Sequence, residues 1–151
     1  GGVVKYVHKY WKKLLQNIDL SARHGGDSAR LTSRGITDNV YENTLTADDL
    51  EYLWQKQEGR CYWLGIEMSL EDLFIKDSPF AVSTDRIDCS QGYTLDNVVL
   101  TTRFANRGRG AYDGELFISR LNELFRKRDE EISTGHRDKP QAQHDLALCN
   151  G

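Results

Sequence analysis

Residues 81–110 restrict the fold more than any other part of the sequence, because they combine strand, turn and helix signals in a fixed order. The small and β-branched residues of AVSTDRID predict a strand, and DNVVL predicts a second one. The loop between them contains Gly92, which favours a turn. The segment TTRFANRG then predicts a short helix that ends at one of two nearby glycines. The expected local order is therefore strand, loop, strand, helix.

This order is expected to bring Asp85, at the end of the first strand, close to Asn106 on the helix. A carboxylate and an amide oxygen are hard ligands that suit Mg²⁺. Asn97 is placed to brace the loop by hydrogen bonds, and Arg86 can donate a bidentate pair to a phosphate. The competing explanation is a plain hairpin with Asp and Asn as turn residues and Arg86 in a surface ion pair. The residue types alone favour that plainer explanation.

Three helices are predicted around this stretch. Apolar residues recur at helical spacing over residues 3–18, with lysines off the apolar stripe. A second helix follows Thr46, which forms a capping-box pattern with Asp49, and it is expected to end at Gly59. A third is capped by Asp113. The lysine-rich face of the first helix either lies on a phosphate backbone or is simply solvated, and solvation is the somewhat better explanation.

Two segments lack a regular pattern. Residues 19–44 are rich in Ser, Gly, Asn and Arg and predict an irregular segment. Its arginines either contact phosphates or lie on a mobile surface loop, and the two explanations are equally supported. From about residue 132 onward the chain has few large apolar residues, which predicts a disordered tail. We therefore assign no role to the histidines in that tail.

The composition predicts a soluble chain without a membrane partner. Hydrophobic residues make up 38% and charged residues 28%, with no apolar run of the roughly 18 residues that a membrane helix needs. The three cysteines, Cys61, Cys89 and Cys149, are odd in number and form no CxxC pair. They argue against a structural zinc site and a disulfide framework, and they favour a reducing cytosol.

The net charge of -3 is unevenly distributed. Residues 1–34 carry seven basic and two acidic side chains, whereas residues 35–80 carry three and ten. One face of an acidic protein is then expected to be electropositive, although random surface charge explains the pattern as well.

The ordered motifs resemble those of the HNH, or ββα-metal, endonucleases. The segments STDRID, GYTLDNVVL and FAN are similar to the phage and intron-associated branch, in which Asp-Arg replaces the first histidine pair. The preceding LTADDLEYLWQKQEGRCYWLGIEM resembles the helix and Gly-Arg-Cys turn of that branch, and FISRLNELF occupies the place of its trailing helix. The resemblance covers roughly residues 45–125, and the ordered set is more specific than any one motif.

The resemblance implies an α+β fold with a ββα-metal core, flanking helices, an N-terminal basic helix and a flexible C-terminal tail. Residues 1–44 are expected to contact DNA. Residues 45–128 are expected to form the nuclease core with its preceding and trailing helices, and residues 129–151 the disordered tail.

Four residues match functional positions of the family. Asp85 matches the first metal ligand, and Asn106 matches the second, which is histidine in many members. Asn97 matches the central asparagine that orients the site. Arg86 stands where most members have the histidine that activates water, and a guanidinium is a poor general base. Asparagine in place of histidine keeps an oxygen ligand and favours Mg²⁺ or Mn²⁺ over zinc.

The resemblance also implies that the partner is double-stranded DNA. The expected reaction is metal-dependent hydrolysis of phosphodiester bonds to 5′-phosphate and 3′-hydroxyl ends. A free-standing homing or phage endonuclease, monomeric or homodimeric, in the cytoplasm of the host cell is the favoured type. The alternative is a non-catalytic DNA-binding module that retains the ββα scaffold. The predicted DNA contacts are Arg103, Arg107 and Arg109 beside Asn106, and Lys12, Arg23, Arg30 and Arg34 near the N-terminus.

Overall fold

A computed structural model describes residues 2–23, 31–32, 35–36 and 41–135 of the chain, with side chains from residues 8–23 and 41–135. Two predicted DNA contacts, Arg30 and Arg34, lie outside the described residues, as does most of the predicted tail. Among the described residues, no helix is both long and apolar enough to cross a membrane.

The chain mixes helices with small antiparallel sheets, in agreement with the α+β class predicted from the sequence. The residues up to Gly114 form one compact unit, and those from Glu115 onward form another. The elements of the first unit are α1 (Gly2–Arg23), β1 (Leu31–Thr32), β2 (Gly35–Ile36), α2 (Ala47–Lys56), a 3-10 turn (Glu71–Phe74), β3 (Val82–Arg86), β4 (Val98–Thr102) and α3 (Arg103–Arg109). Helix α4 (Gly114–Ser133) makes up most of the described part of the second unit.

Helix α1 is longer than the sequence pattern predicted, because its apolar stripe continues past residue 18. Trp11, Leu14 and Ile18 are buried at helical spacing, and Ala22 extends the same buried face by one more turn. Arg23 therefore lies in the last turn of a helix rather than in an irregular segment. In the second unit, α4 similarly continues to Ser133, past residue 129, where the tail was predicted to begin.

Helix α2 begins as predicted. The Thr46 hydroxyl accepts from the Asp49 N–H, and the Asp49 carboxylate accepts from the Thr46 N–H, so the capping box is present. The end of the helix differs slightly from the prediction, because two residues with positive φ follow its C-cap, Glu58 (φ 54°) and Gly59 (φ 69°). The Gly59 N–H donates to the Trp54 carbonyl at 3.1 Å, which closes the last turn.

The two predicted strands are present as β3 and β4, and they pair antiparallel with Val82 opposite Thr102 and Arg86 opposite Val98. Strand β4 is buried along its whole length. At its outer edge the side-chain amide of Gln57 accepts from the Leu100 N–H at 2.9 Å and donates to the Leu100 carbonyl at 2.7 Å. A side chain therefore satisfies the edge groups that a neighbouring strand would otherwise pair.

The passage from β4 into α3 is fixed by buried side chains. The Thr102 hydroxyl caps α3 by accepting from the Ala105 N–H at 3.2 Å. The Cys61 thiol is buried beneath it, 3.2 Å from the Thr101 hydroxyl, and accepts from the Thr102 N–H. Cys61 is thus a buried core residue, as predicted, and it fixes where α3 starts relative to the strands.

Candidate functional site

A cleft of about 830 Å³ opens between α1, β3, the loop that follows β3, and α3. Five of the residues predicted to act in the site line it: Asp85, Arg86, Arg103, Asn106 and Arg107. These residues come from the strand–loop–strand–helix unit, and the antiparallel register of that unit places them around one opening.

The Asp85 carboxylate is nearly closed off from solvent, with 5% of the residue exposed. Its Oδ2 accepts from Arg109 Nε at 2.5 Å and from Trp63 Nε1 at 2.7 Å. Its Oδ1 accepts from Arg109 Nη2 at 2.9 Å. Such a bidentate ion pair satisfies the buried charge of both partners. Asp85 is thus held in one orientation by two neighbours that the sequence did not place beside it.

Arg109 is buried at the end of α3, with 2% of the residue exposed. Besides Asp85, its guanidinium donates to the backbone carbonyls of Arg86 and Tyr112. The hydrogen bonds that Arg109 donates to Asp85 raise the pKa of Arg109 above its ordinary value, against the opposing effect of burial, so the group stays charged. This placement corrects the prediction that Arg109 contacts DNA, because a buried guanidinium paired with a carboxylate has no face open to a phosphate.

Asn106 lies on α3 and contacts Ser83, which is on the same face of β3 as Asp85. Its Nδ2 donates to the Ser83 hydroxyl at 3.1 Å. Ser83 and Asp85 are two residues apart in an extended strand, so their side chains leave it on one side. The two predicted metal ligands therefore lie in one cleft, although the hydrogen bond of Asn106 goes to Ser83 rather than to Asp85.

Asn97 braces the loop between the strands as the sequence indicated. Its Oδ1 accepts from the Asp88 N–H at 3.0 Å, and its Nδ2 donates to the carbonyls of Asp88 and Gly92 at 3.1 and 2.8 Å. Gly92 is required there because a Cβ would lie 2.6 Å from the Glu42 carbonyl oxygen. Asn97 thus stabilises the loop that forms part of the cleft wall, although Asn97 itself is not one of the lining residues.

Two exposed carboxylates in this loop have lowered pKa values. The Ser90 hydroxyl and N–H lower the pKa of Asp88, and the Thr94 hydroxyl lowers that of Asp96. Because both pKa values are depressed in the folded protein, these contacts stabilise the loop above the ordinary carboxylate pKa. Their contribution is lost as the pH falls through the lowered values.

Arg86 is held between two tyrosine rings. Its guanidinium carbon lies 4.1 Å from the ring centroid of Tyr41 and 5.0 Å from that of Tyr93. Its Nη1 donates to the carbonyls of Cys89 and Gln91 at 2.9 and 3.0 Å. Arg86 therefore ties the loop to β3, and this structural role accompanies any contact with a phosphate.

Arg86→Ala is expected to lower the free energy of unfolding by about 2 kcal/mol, because two hydrogen bonds and two cation–π contacts are lost. Arg107→Ala, at an exposed position of the same cleft, is expected to change it by less than about 0.5 kcal/mol. Urea denaturation followed by tryptophan fluorescence measures both. Equal stabilities of the two variants would show that Arg86 does not hold the loop.

The remaining predicted DNA contacts differ in their surroundings. Arg107 is exposed at the cleft, and Arg103 is half-buried and donates to the Ile75 carbonyl at 3.1 Å. Lys12 is exposed on α1, and Arg23 pairs with Asp19 at 3.1 Å. Neither Lys12 nor Arg23 lines the cleft. The structure therefore gathers two of these cations at the cleft and leaves two elsewhere on α1.

The cleft wall carries a net positive charge. Within the described part of the chain, Asp85 is the one acidic residue that lines it, and Arg109 neutralises Asp85 from behind. Arg86, Arg103 and Arg107 are then left without a lining countercharge. Such a surface suits a polyanion, since clustered guanidinium groups bind phosphates.

Sequence reasoning missed Trp63 and the true position of Arg109. No sequence pattern pointed to Trp63, because the close approach of Gly114 to its ring, where a Cβ would lie 2.1 Å away, exists only in the folded chain. For Arg109 the signal was helical spacing, since Ala105 and Arg109 are four residues apart and both are buried. Arg103 and Arg107, also four residues apart, share another face of α3 that is not buried. The three arginines of α3 therefore differ in burial, and only Arg103 and Arg107 line the cleft.

The residues fit a divalent cation that is held by few protein ligands. Among the described residues, no group of three or more His, Cys, Asp or Glu side chains comes together. Asp85 keeps about one of its four lone-pair directions, because three N–H groups take the others. Asn106 adds an amide oxygen on the same cleft. Mg²⁺ accepts such a sparse oxygen set, because it usually retains water and binds substrate phosphates.

Neither a protein-family model nor a curated protein sequence matches this chain.

Proposed function

We propose that the protein is a metal-dependent endonuclease that binds double-stranded DNA in this cleft and hydrolyses a phosphodiester bond. The observation that carries the proposal is the location of Asp85 and Asn106 on one open cleft whose remaining lining charges are arginines. Oxygen ligands for a cation and guanidinium groups for phosphates are the two requirements of phosphodiester hydrolysis by metal-ion catalysis. The resemblance to the HNH endonucleases supports the same assignment.

The ligands in this proposal are Asp85 and Asn106, and the cation is Mg²⁺ or Mn²⁺. When bound, it supplies positive charge that polarises the scissile phosphate. Arg103 and Arg107 hold the DNA backbone, which sets affinity and its dependence on salt. The Arg86 guanidinium adds positive charge near the phosphate while its Nη1 stays bonded to the loop carbonyls.

The acceptor of the proton from the attacking water is the least usual part of the proposal. No histidine is found among the described residues that line the cleft. Arg86 occupies the position at which the resemblance places the base, and a guanidinium is a poor general base. We assign the proton to a phosphate oxygen of the substrate. The resemblance implies 5′-phosphate and 3′-hydroxyl ends, so the water oxygen would bond to phosphorus while the bond from phosphorus to the 3′ oxygen breaks. The departing 3′ oxygen would then take up a proton from solvent.

A second candidate is a DNA-binding module without catalysis. The bidentate pair between Asp85 and Arg109 favours it, because that pair occupies much of the carboxylate that a cation needs. The two candidates share the same DNA surface and differ in whether bound DNA is cut.

Within the nuclease proposal, the subtype that we propose is a free-standing homing or phage enzyme of the host cytoplasm, monomeric or homodimeric.

A supercoiled-plasmid assay separates the two candidates. The full chain is incubated with plasmid and Mg²⁺ or Mn²⁺, with EDTA in a parallel reaction, and DNA binding is measured by mobility shift. The nuclease proposal predicts nicked or linear plasmid that EDTA abolishes. Binding without metal-dependent cleavage on phage or bacterial genomic DNA would leave the non-catalytic module as the function.

A further inference from the structure

The carboxylate of Asp85 reaches the cleft with most of its hydrogen-bonding capacity already used. Two donors contact Oδ2, and one contacts Oδ1. A carboxylate offers about four lone-pair directions, so about one remains, on Oδ1. Any ligand that enters the cleft therefore meets one oxygen of Asp85 rather than a bidentate carboxylate.

The two donor residues are themselves fixed. Arg109 also donates to the carbonyls of Arg86 and Tyr112, and its guanidinium carbon lies 5.0 Å from the ring centroid of Trp63. The backbone at Gly114 passes so close to the Trp63 ring that a Cβ would overlap it. Because each donor has partners besides Asp85, neither is free to move aside when a cation arrives.

We infer that Arg109 and Trp63 are positioning residues that leave Asp85 a single open oxygen direction, so that Asp85 binds a divalent cation monodentately and weakly until a DNA phosphate completes the coordination. This inference rests on the proposed function. The positive charge of Arg109 also weakens binding of the divalent cation to Asp85, because it repels a second cation at the same carboxylate. Mg²⁺ and Mn²⁺ tolerate such a site only if water or phosphate supplies the remaining ligands.

The test is the affinity of the 151-residue chain for Mn²⁺, measured without DNA by the electron paramagnetic resonance signal of free Mn²⁺. Trp63→Phe removes one donor from Oδ2 but keeps an aromatic ring. Arg109→Lys keeps the charge but removes the bidentate fork. Each is expected to tighten Mn²⁺ binding about tenfold, since a hydrogen bond to a charged group is of that strength. The wild type is expected to gain affinity when a DNA duplex is added.

Arg60→Lys is the matched control, because Arg60 forms an exposed ion pair with Glu67. Its Mn²⁺ affinity is expected to equal that of the wild type. Thermal unfolding of each variant establishes that it is folded, and a purely structural role would lower the melting temperature without tightening Mn²⁺ binding. Folded Trp63→Phe and Arg109→Lys proteins that bind Mn²⁺ no more tightly than the wild type would overturn the inference, even if the wild type cleaves DNA. Failure of plasmid cleavage by the wild type would instead count against the proposed function, whatever the Mn²⁺ affinities of the wild type and the two variants.

Discussion

Asn106→Ala is expected to reduce metal-dependent plasmid cleavage by at least about a hundredfold while DNA binding is retained. In the proposed site Asn106 supplies one of two protein oxygens to the cation, and loss even of a group that only orients a ligand costs 10- to 100-fold. Cleavage rates under single-turnover conditions and the dissociation constant for a DNA duplex give the two quantities.

Two further substitutions sharpen this prediction. Asn106→Asp retains an oxygen ligand and is expected to keep more activity than the alanine variant. Ser83→Ala removes the hydroxyl that accepts from Asn106 and is expected to cost about tenfold, because the amide is then less well oriented. Full activity of Asn106→Ala would remove Asn106 from the metal site and leave Asp85 as its one protein ligand.

Arg109→Met is expected to lower the free energy of unfolding by about 3–5 kcal/mol, because it leaves the buried Asp85 carboxylate without a countercharge. Urea denaturation of the wild type and of the Arg109→Met variant measures the difference in the free energy of unfolding. Arg120→Met is the matched control: its ion pair with Glu123 is exposed, so the expected change is within about 1 kcal/mol. The stability loss is thus tied to burial rather than to loss of an arginine.

A double variant tests the cause. Replacing a whole buried ion pair with apolar residues is often nearly neutral. Asp85→Leu combined with Arg109→Met is therefore expected to be more stable than Arg109→Met alone. If the double variant were as unstable as the sum of the two single variants, the contacts of Arg109 with the backbone, and not its charge pair, would be responsible.

The sequence was informative where structure is set by near neighbours in the chain. The strands and the short helix of residues 81–110 followed from the small and β-branched residues and from turn chemistry. The capping box at Thr46 and the bracing role of Asn97 depend on contacts only a few residues apart, and the structure confirms both.

The sequence was less informative where contacts are distant. Trp63 and Arg109 lie 22 and 24 residues from Asp85 along the chain, and their convergence depends on the packing of the turn after α2 against β3 and α3. No local pattern carries that information. For the same reason the sequence placed an open metal ligand at Asp85, whereas the folded chain presents a carboxylate that is already paired. The length of α1 was underestimated because Ala22 is too small to stand out in an apolar pattern.

The side-chain amide of Gln57 has a consequence for self-association. By pairing with both backbone groups of Leu100, it acts as a surrogate strand of one residue along the outer edge of β4. The Thr102 N–H on the same edge is used by the Cys61 sulfur. At Leu100 and Thr102 the β4 edge is therefore closed to strand addition by a second chain, which is a common route to dimers and aggregates. If two copies act together on the two strands of a duplex, they must meet through other surfaces than the β4 edge.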